Sequence, residues 1–398
     1  MSFSIATSGL DAVTQQMNSV SNNIANAGTV GFKSGHTQFS ALYANGQPMG
    51  VGVSKIAQSI TRKGNFLASD SELHLAINGA GFFIVRDSSG APAVTRAGTF
   101  GFDNQGRLSS NGMLLQGHGV DAKGALQTGA LTDLKISNGA IPAKASDTLG
   151  FTANLDSNAK VPTTKTFDPA DASSFNSQHT SEVYDSLGGK HQLTQYFVKT
   201  GVNKWDVHYV ADGKVSSTPP QSLTFNSSGK LFTPTGPLML NSIFTPTTGA
   251  ATISLAVDYA GTSQYQSPFD VTQDKSNGYP TGQKTGQRID EDGTVYATFS
   301  NGERLLQGQL VLANFRNPNG LSPQDNTTWQ QTSASGEMLT GNPGTGLYGS
   351  IKASMLEESN VDLTAELVGL MTAQRSYQAN TKVISTDNSM MTALFQAL

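Results

Sequence analysis

The chain has 398 residues, long enough for two or three domains with cores of their own, and carries a net charge of −4 with only 14% charged residues, against about 25% in typical globular proteins. No basic patch emerges, which argues against nucleic acid as a partner, and the absence of cysteine excludes disulfides and thiolate metal sites. No run approaches the roughly 18 apolar residues of a membrane span, so no membrane insertion is expected, and 42 glycines point to many tight turns.

At the start, Phe3, Ala6, Leu10, Val13, Met17, Val20 and Ile24 alternate three- and four-residue steps, and all seven are apolar. That spacing places them on one face of a helix, as a coiled-coil seam requires. Asp11 is the only charge among the first 32 residues. A solvated helix usually displays Lys and Glu, whereas small uncharged residues suit one hemmed in on several sides; an amphipathic helix docked on its own domain is the blander reading. Gly9 and the many Ser, Thr and Asn residues are weak helix formers, so the helix is expected to fray in an isolated subunit. No Lys or Arg precedes Lys33 and no long apolar core occurs, so the start does not read as a cleaved secretory signal.

Residues 25–70 read as a connector, with Gly50-Val51-Gly52-Val53 as extended backbone. From about Leu73 the period becomes strand-like. A turn signal then recurs, an apolar residue followed by Asp or Asn, two turn residues and Gly: Phe102–Leu108, Phe225–Leu231 and Ile289–Val295, with a looser copy at 184–189. Asp or Asn opens a type I turn and glycine takes the left-handed position, giving a bulged hairpin. Residues 145–283 are rich in Ser, Thr and Asn with short aromatic strands, and read as an outer β-domain inserted into a middle one made of 71–144 and 284–359. The helical period returns after Asp362, a plausible N-cap with Glu366 in the first turn. Leu363, Leu367, Leu370, Gln374, Tyr377, Thr381, Ile384, Asn388, Met391, Phe395 and Leu398 keep the heptad step with three polar interruptions. The expected fold is mainly β with terminal α-helices: nested β-domains plus a helical coiled-coil domain formed by 1–24 and 360–398.

No chemistry-bearing constellation stands above background. Gly344-Thr345-Gly346-Leu347-Tyr348-Gly349 matches a dinucleotide-binding pattern, but it follows Asn342-Pro343 where a strand is needed and sits in no βαβ unit. Asp290-Glu291-Asp292-Gly293 lacks the third acidic position and the distal Glu of a calcium loop. The six histidines are scattered without ligand spacing and read as surface residues, with a meeting of His191 and His208 on neighbouring strands as the weaker alternative. No catalytic, cofactor or metal residue is assigned, and the chain reads as non-enzymatic.

Four segments carry a resemblance. Ser21-Asn22-Asn23-Ile24-Ala25-Asn26-Ala27-Gly28-Thr29-Val30-Gly31-Phe32-Lys33 resembles the N-terminal signature of bacterial flagellar axial proteins, the rod and hook family. Glu358-Ser359-Asn360-Val361-Asp362-Leu363, leading into Met371-Thr372-Ala373-Gln374-Arg375-Ser376-Tyr377, is similar to the family's C-terminal helix motif. Gly79-Ala80-Gly81-Phe82-Phe83 with Thr95-Arg96-Ala97-Gly98-Thr99-Phe100, and Leu312-Ala313-Asn314-Phe315 with Asn319-Gly320-Leu321, resemble its body segments.

The motif residues taken from the resemblance are Asn22, Asn23, Ala25, Asn26, Gly31, Phe32 and Lys33 at one end, and Asn360, Asp362, Gln374, Arg375 and Tyr377 at the other. Physically, the asparagines can satisfy helix-end carbonyls or bond a neighbour. Gly28 and Gly31 permit a sharp exit, and Phe32 can anchor the connector. Length and the β-insert favour the hook members of the family, with a distal rod subunit or a secreted, adhesin-like β-rich protein as alternatives. The resemblance implies a homopolymer whose partners are the flagellar rod, hook cap, hook–filament junction proteins and flagellar type III export apparatus. It also implies an extracellular place in the flagellum, reached without a cleaved signal peptide.

Overall fold

The computed structural model describes residues 2–44, 47–87, 89–121 and 124–397. It is mostly β, with a helix at each end: α1 is Ser2–Ala25 and α2 is Leu363–Ala397. The chain divides into two compact units, one of 1–138, 286–297 and 304–398, the other of 139–285 and 298–303.

The second unit is a pair of antiparallel-rich sheets closing on one core. In one sheet Thr148–Asp156 pairs with Ile253–Asp258, Ser263–Tyr265 and Asp270–Ser276. The other runs Ser177–Tyr184, Lys190–Gly201, Lys204–Ala211, Gln221–Phe225 and Leu231–Thr233. Alternation decides what is inside: along Thr148–Asp156, Leu149, Phe151, Ala153 and Leu155 are buried while the residues between them are not. Phe151, Phe197, Trp205 and Leu255 fill the interior. A polar chain crosses it, with the Tyr209 and Tyr259 hydroxyls 2.9 Å apart and Tyr259 donating to Gln195 Oε1. Both phenols are buried, which raises their pKa values, that of Tyr259 also through Tyr209.

The first unit holds a sheet whose path includes Arg304–Leu310, Met113–Gly119, Phe82–Arg86, Pro92–Thr95, Thr328–Gln330 and Ser322–Gln324. Phe82 is its aromatic hub, edge-on to Phe315 and to Trp329 at 6.1 and 5.9 Å. Two short antiparallel pairs, Leu75–Asn78 with Ser350–Ala353 and Phe66–Ala68 with Met355–Glu357, tie the early chain to the segment that leads into α2.

The turn chemistry read from sequence is present. Gly106, Gly229, Gly293 and Gly188 have φ between +75° and +87°, and Asp103, Asn226 and Asp185 accept backbone N–H bonds across their turns. The 344–349 glycine segment is a loop. His191 and His208 do not meet: the strand register pairs His208 with Tyr196, five residues from His191. His208 stacks on Phe167, whereas His191 bonds Asp212 and Asp185. Within 25–70 the chain makes a long antiparallel hairpin, β1 (Gly35–Ala44) and β2 (Gln47–Gln58).

Candidate assembly site

The two chain ends meet in the first unit, and the contact begins with α1 itself. The hairpin lies along it: Val51 N–H donates to Ser8 Oγ at 3.2 Å, and Asn23 clasps Gly35 at the hairpin's other end, taking its N–H at 2.8 Å and donating to its carbonyl at 2.7 Å. Gly50 is needed there, because at φ +116° a Cβ would lie 2.0 Å from Ser8 Oγ.

On another side α1 packs against α2 in antiparallel register. Asn23 Nδ2 donates to Glu366 Oε1 at 2.9 Å, Val20 faces Gly369, and Gly9 faces Asn380. Continuing that register puts Ser2 opposite Asp387. Small residues let the helices close: a Cβ on Gly9 would stand 3.0 Å from the Asn380 amide, and Ala6, Ala12 and Ala373 are buried. Asp362 caps α2, accepting from the Thr364 and Ala365 N–H groups at 3.0 and 3.1 Å.

The intramolecular pairing does not follow the heptad stripes. On α1, Ala6 and Val20 are buried, but Leu10, Val13, Met17 and Ile24 are half-buried and Phe3 is exposed. On α2, Leu370 and Ile384 are half-buried, while Leu363, Leu367, Tyr377, Met391 and Phe395 are exposed; Leu398 lies outside the described residues. The packed stripe of α2 runs through Glu366, Gly369, Ala373 and Asn380. It sits one residue earlier than the apolar one for most of its length, about 100° around the helix. Glycine and alanine win the close contact because they allow the backbones together, which leaves the bulky stripe open.

Below the helices, the motif residues converge on a buried ion cluster. Lys33, 1% exposed, bonds the carboxylate of Glu357, 0% exposed, and donates to the Arg62 carbonyl at 2.9 Å. Arg96 reaches the other Glu357 oxygen at 3.0 Å and donates to the Gly79 carbonyl at 2.9 Å. Burial holds the Lys33 ammonium below its usual pKa, against the opposing pull of Glu357, and burial lowers Arg96 likewise. Asn360 locks the next turn, accepting from Ser34 N–H at 2.7 Å and donating to the Ser59 and Arg62 carbonyls at 2.9 Å.

Gly31 threads past this knot at φ +71°, where a Cβ would lie 2.5 Å from Ala97 N. Gly28 carries no such constraint: its φ is not left-handed and nothing would touch a Cβ. Asn26 Nδ2 donates to the Asn22 carbonyl at 3.0 Å, closing the last turn of α1. Phe32 is half-buried; Asn22, Ala25, Gln374 and Arg375 are exposed with Tyr377 and are not drawn into the knot. Glu357 lies outside the segments that carry the resemblance, and Arg96 stands in one of them without an assigned role. No local signal pointed to them: Lys33 is simply the first positive charge of the chain, and only the structure shows that it is buried against a carboxylate.

Four family models match along the chain: "Flagella basal body rod protein" over 3–33, "Flagellar hook protein FlgE/F/G D1 domain" over 76–157, "Flagellar basal body protein FlaE D2 domain" over 154–279 and "Flagellar basal body rod FlgEFG protein C-terminal" over 352–397. The flagellar hook protein FlgE of Escherichia coli K12 is 35% identical over 402 residues, covering 99% of each chain. The chain belongs to the flagellar hook protein family. The hook protein of Salmonella typhimurium LT2 is 36% identical, again over 99% of both, and that of Rhizobium meliloti 33% over 97% and 96%. Full-length matches to hook proteins favour a hook subunit over a rod subunit. A Helicobacter pylori hook protein structure, FlgE2, shares the fold at a TM-score of 0.55 and 15% identity, over 73% of this chain and all of that one.

Proposed function

We propose that this chain is the self-assembling, non-enzymatic subunit of a curved helical tube, the flagellar hook, which acts as a universal joint carrying torque from rod to filament. The carrying observation is the bulky apolar stripe of α2 left open after α1 and α2 have paired through small residues. A stripe of that kind marks an interaction surface rather than a solvated face, and every subunit presents it. In this reading the seam runs through Val13, Met17 and the Leu363, Leu367, Tyr377, Met391 and Phe395 stripe. The helices line a central channel, 71–144 with 284–359 forms a middle shell, and 145–283 forms an outer shell.

The charge-poor surface suits sliding contacts, since polar contacts can exchange without the several-kcal/mol cost of separating desolvated ions. Rod, hook cap, hook–filament junction proteins and the type III export apparatus are the partners, and the place is outside the cell.

Electron microscopy of the purified, concentrated chain tests this reading. Curved tubes are expected; straight rods point to a distal rod subunit, and discrete small oligomers to a β-rich binding protein. Dilute protein should lose both terminal helices to protease and retain a core that begins near Lys33, buried against Glu357, and ends near residue 360.

A further inference from the structure

We infer that the last turns of α2, residues 388–397, seat in the groove between α1 and the β1–β2 hairpin of a second copy of this chain. This rests on the polymer reading above and names the contact that propagates it. The groove encloses about 470 Å³ and is lined by Ile5, Val13, Phe39, Leu42, Val51 and Asn380 among others, none of them charged. The segment that would fill it carries no charged side chain either: the last ones before it are Lys382 and Asp387. Met390, Leu394 and Phe395 stand 65%, 56% and 73% exposed on it. An uncharged helix laid in an uncharged groove buries apolar surface and strands no ion.

The occupant cannot be the same chain's own tail. The antiparallel register spends α1 by Asp387, so residues 388–397 run past its first residue. Phe395 lies about 22 Å along a continuous helix beyond the groove-lining Asn380, at 1.5 Å per residue. Each copy therefore carries both a tail and a groove that it cannot satisfy alone. Tail and groove are different patches, so their contact is heterologous, and repetition of such a contact without closure builds an open helical filament.

Because the chain has no cysteine, engineered pairs report without background. In tubes of Leu42→Cys/Leu394→Cys, oxidation should yield a ladder of covalent multimers. An equal mixture of the two single variants should stop at dimers, and each single variant alone should stay monomeric. Dimers from Leu394→Cys alone, or tubes of the double variant without a ladder, overturn the contact. As a second measurement, a peptide of residues 385–398 should slow elongation of wild-type tubes several-fold, and the same peptide with Leu394→Asp and Phe395→Asp should not. If the cysteine variants fail to assemble, the peptide decides: no slowing overturns the contact. Wild-type protein that forms no tubes sinks the polymer reading itself, whereas normal tubes with neither ladder nor slowing sink only this contact.

Discussion

In the sandwich of the second unit, Phe151, Phe197, Trp205 and Leu255 are at most 1% exposed, and even the polar groups between the sheets find one another. Along α2, Leu367, Val368 and Met371 stand open while alanine and glycine do the packing. The first region carries its own hydrophobic driving force and is complete as a single chain. The second leaves its large apolar side chains exposed and is anchored to the β-body through a buried ion cluster instead. Burial and exposure of large apolar side chains are thus separated along the sequence, and perturbing each region should read out differently.

The largest effect on folding should come from the anchor. Glu357→Ala leaves Lys33 and Arg96 buried without their shared carboxylate, and removing one partner of a buried pair costs about 3–5 kcal/mol. Denaturation followed through Trp329, in the first unit, should shift by that amount while the Trp205 transition of the second unit stays in place. A Trp329 midpoint within about 0.5 kcal/mol of wild type, the range of ordinary surface changes, would show the cluster to be dispensable.

A smaller loss belongs to the sandwich. Tyr259→Phe removes the donor to Gln195 Oε1 and the partner of Tyr209, leaving buried polar atoms unpaired at about 1–3 kcal/mol. Here the Trp205 transition should move and the Trp329 transition should not.

Smaller still on stability, yet decisive for assembly, is Leu367→Asp. The side chain is 52% exposed in the single chain, so the monomer should unfold within about 0.5 kcal/mol of wild type. Tubes should be absent under the electron microscope, since the new carboxylate would be desolvated in every subunit contact. Tubes at the wild-type concentration would remove Leu367 from the seam.

The mildest perturbation is pH. Burial of the His191 ring pulls its pKa down, but Asp212, with its carboxylate 2.6 Å from Nδ1, and Asp185, 3.3 Å from Nε2, outweigh this and leave it raised above 6.5. Because the folded pKa is the higher one, this contribution is fully present below about pH 6.5 and is lost as pH rises through the folded value. Asp185 is itself lowered, since the Gly189 and Leu187 N–H groups and His191 outweigh its burial, so its share is lost only as pH falls below 3.8 and through its folded value. The Trp205 transition should weaken slightly on the alkaline side, and His191→Gln should flatten that slope. An unchanged slope would mean that the histidine does not couple to folding.

Much of this molecule is written locally. Heptad steps define two terminal helices, alternation defines the strands, and Asp or Asn followed by Gly defines the bulged turns, because each is a rule over a few neighbouring residues. The capping of α2 by Asp362 follows from the same short-range logic. What only the tertiary structure decided are the pairings between distant residues. Lys33 is buried against Glu357, 324 positions away; no periodicity names that partner or shows that the lysine is buried at all. Periodicity likewise showed which face of each helix is apolar, but not that the close contact would go to glycine and alanine on the neighbouring face, where backbones can approach and the bulky stripe is left exposed.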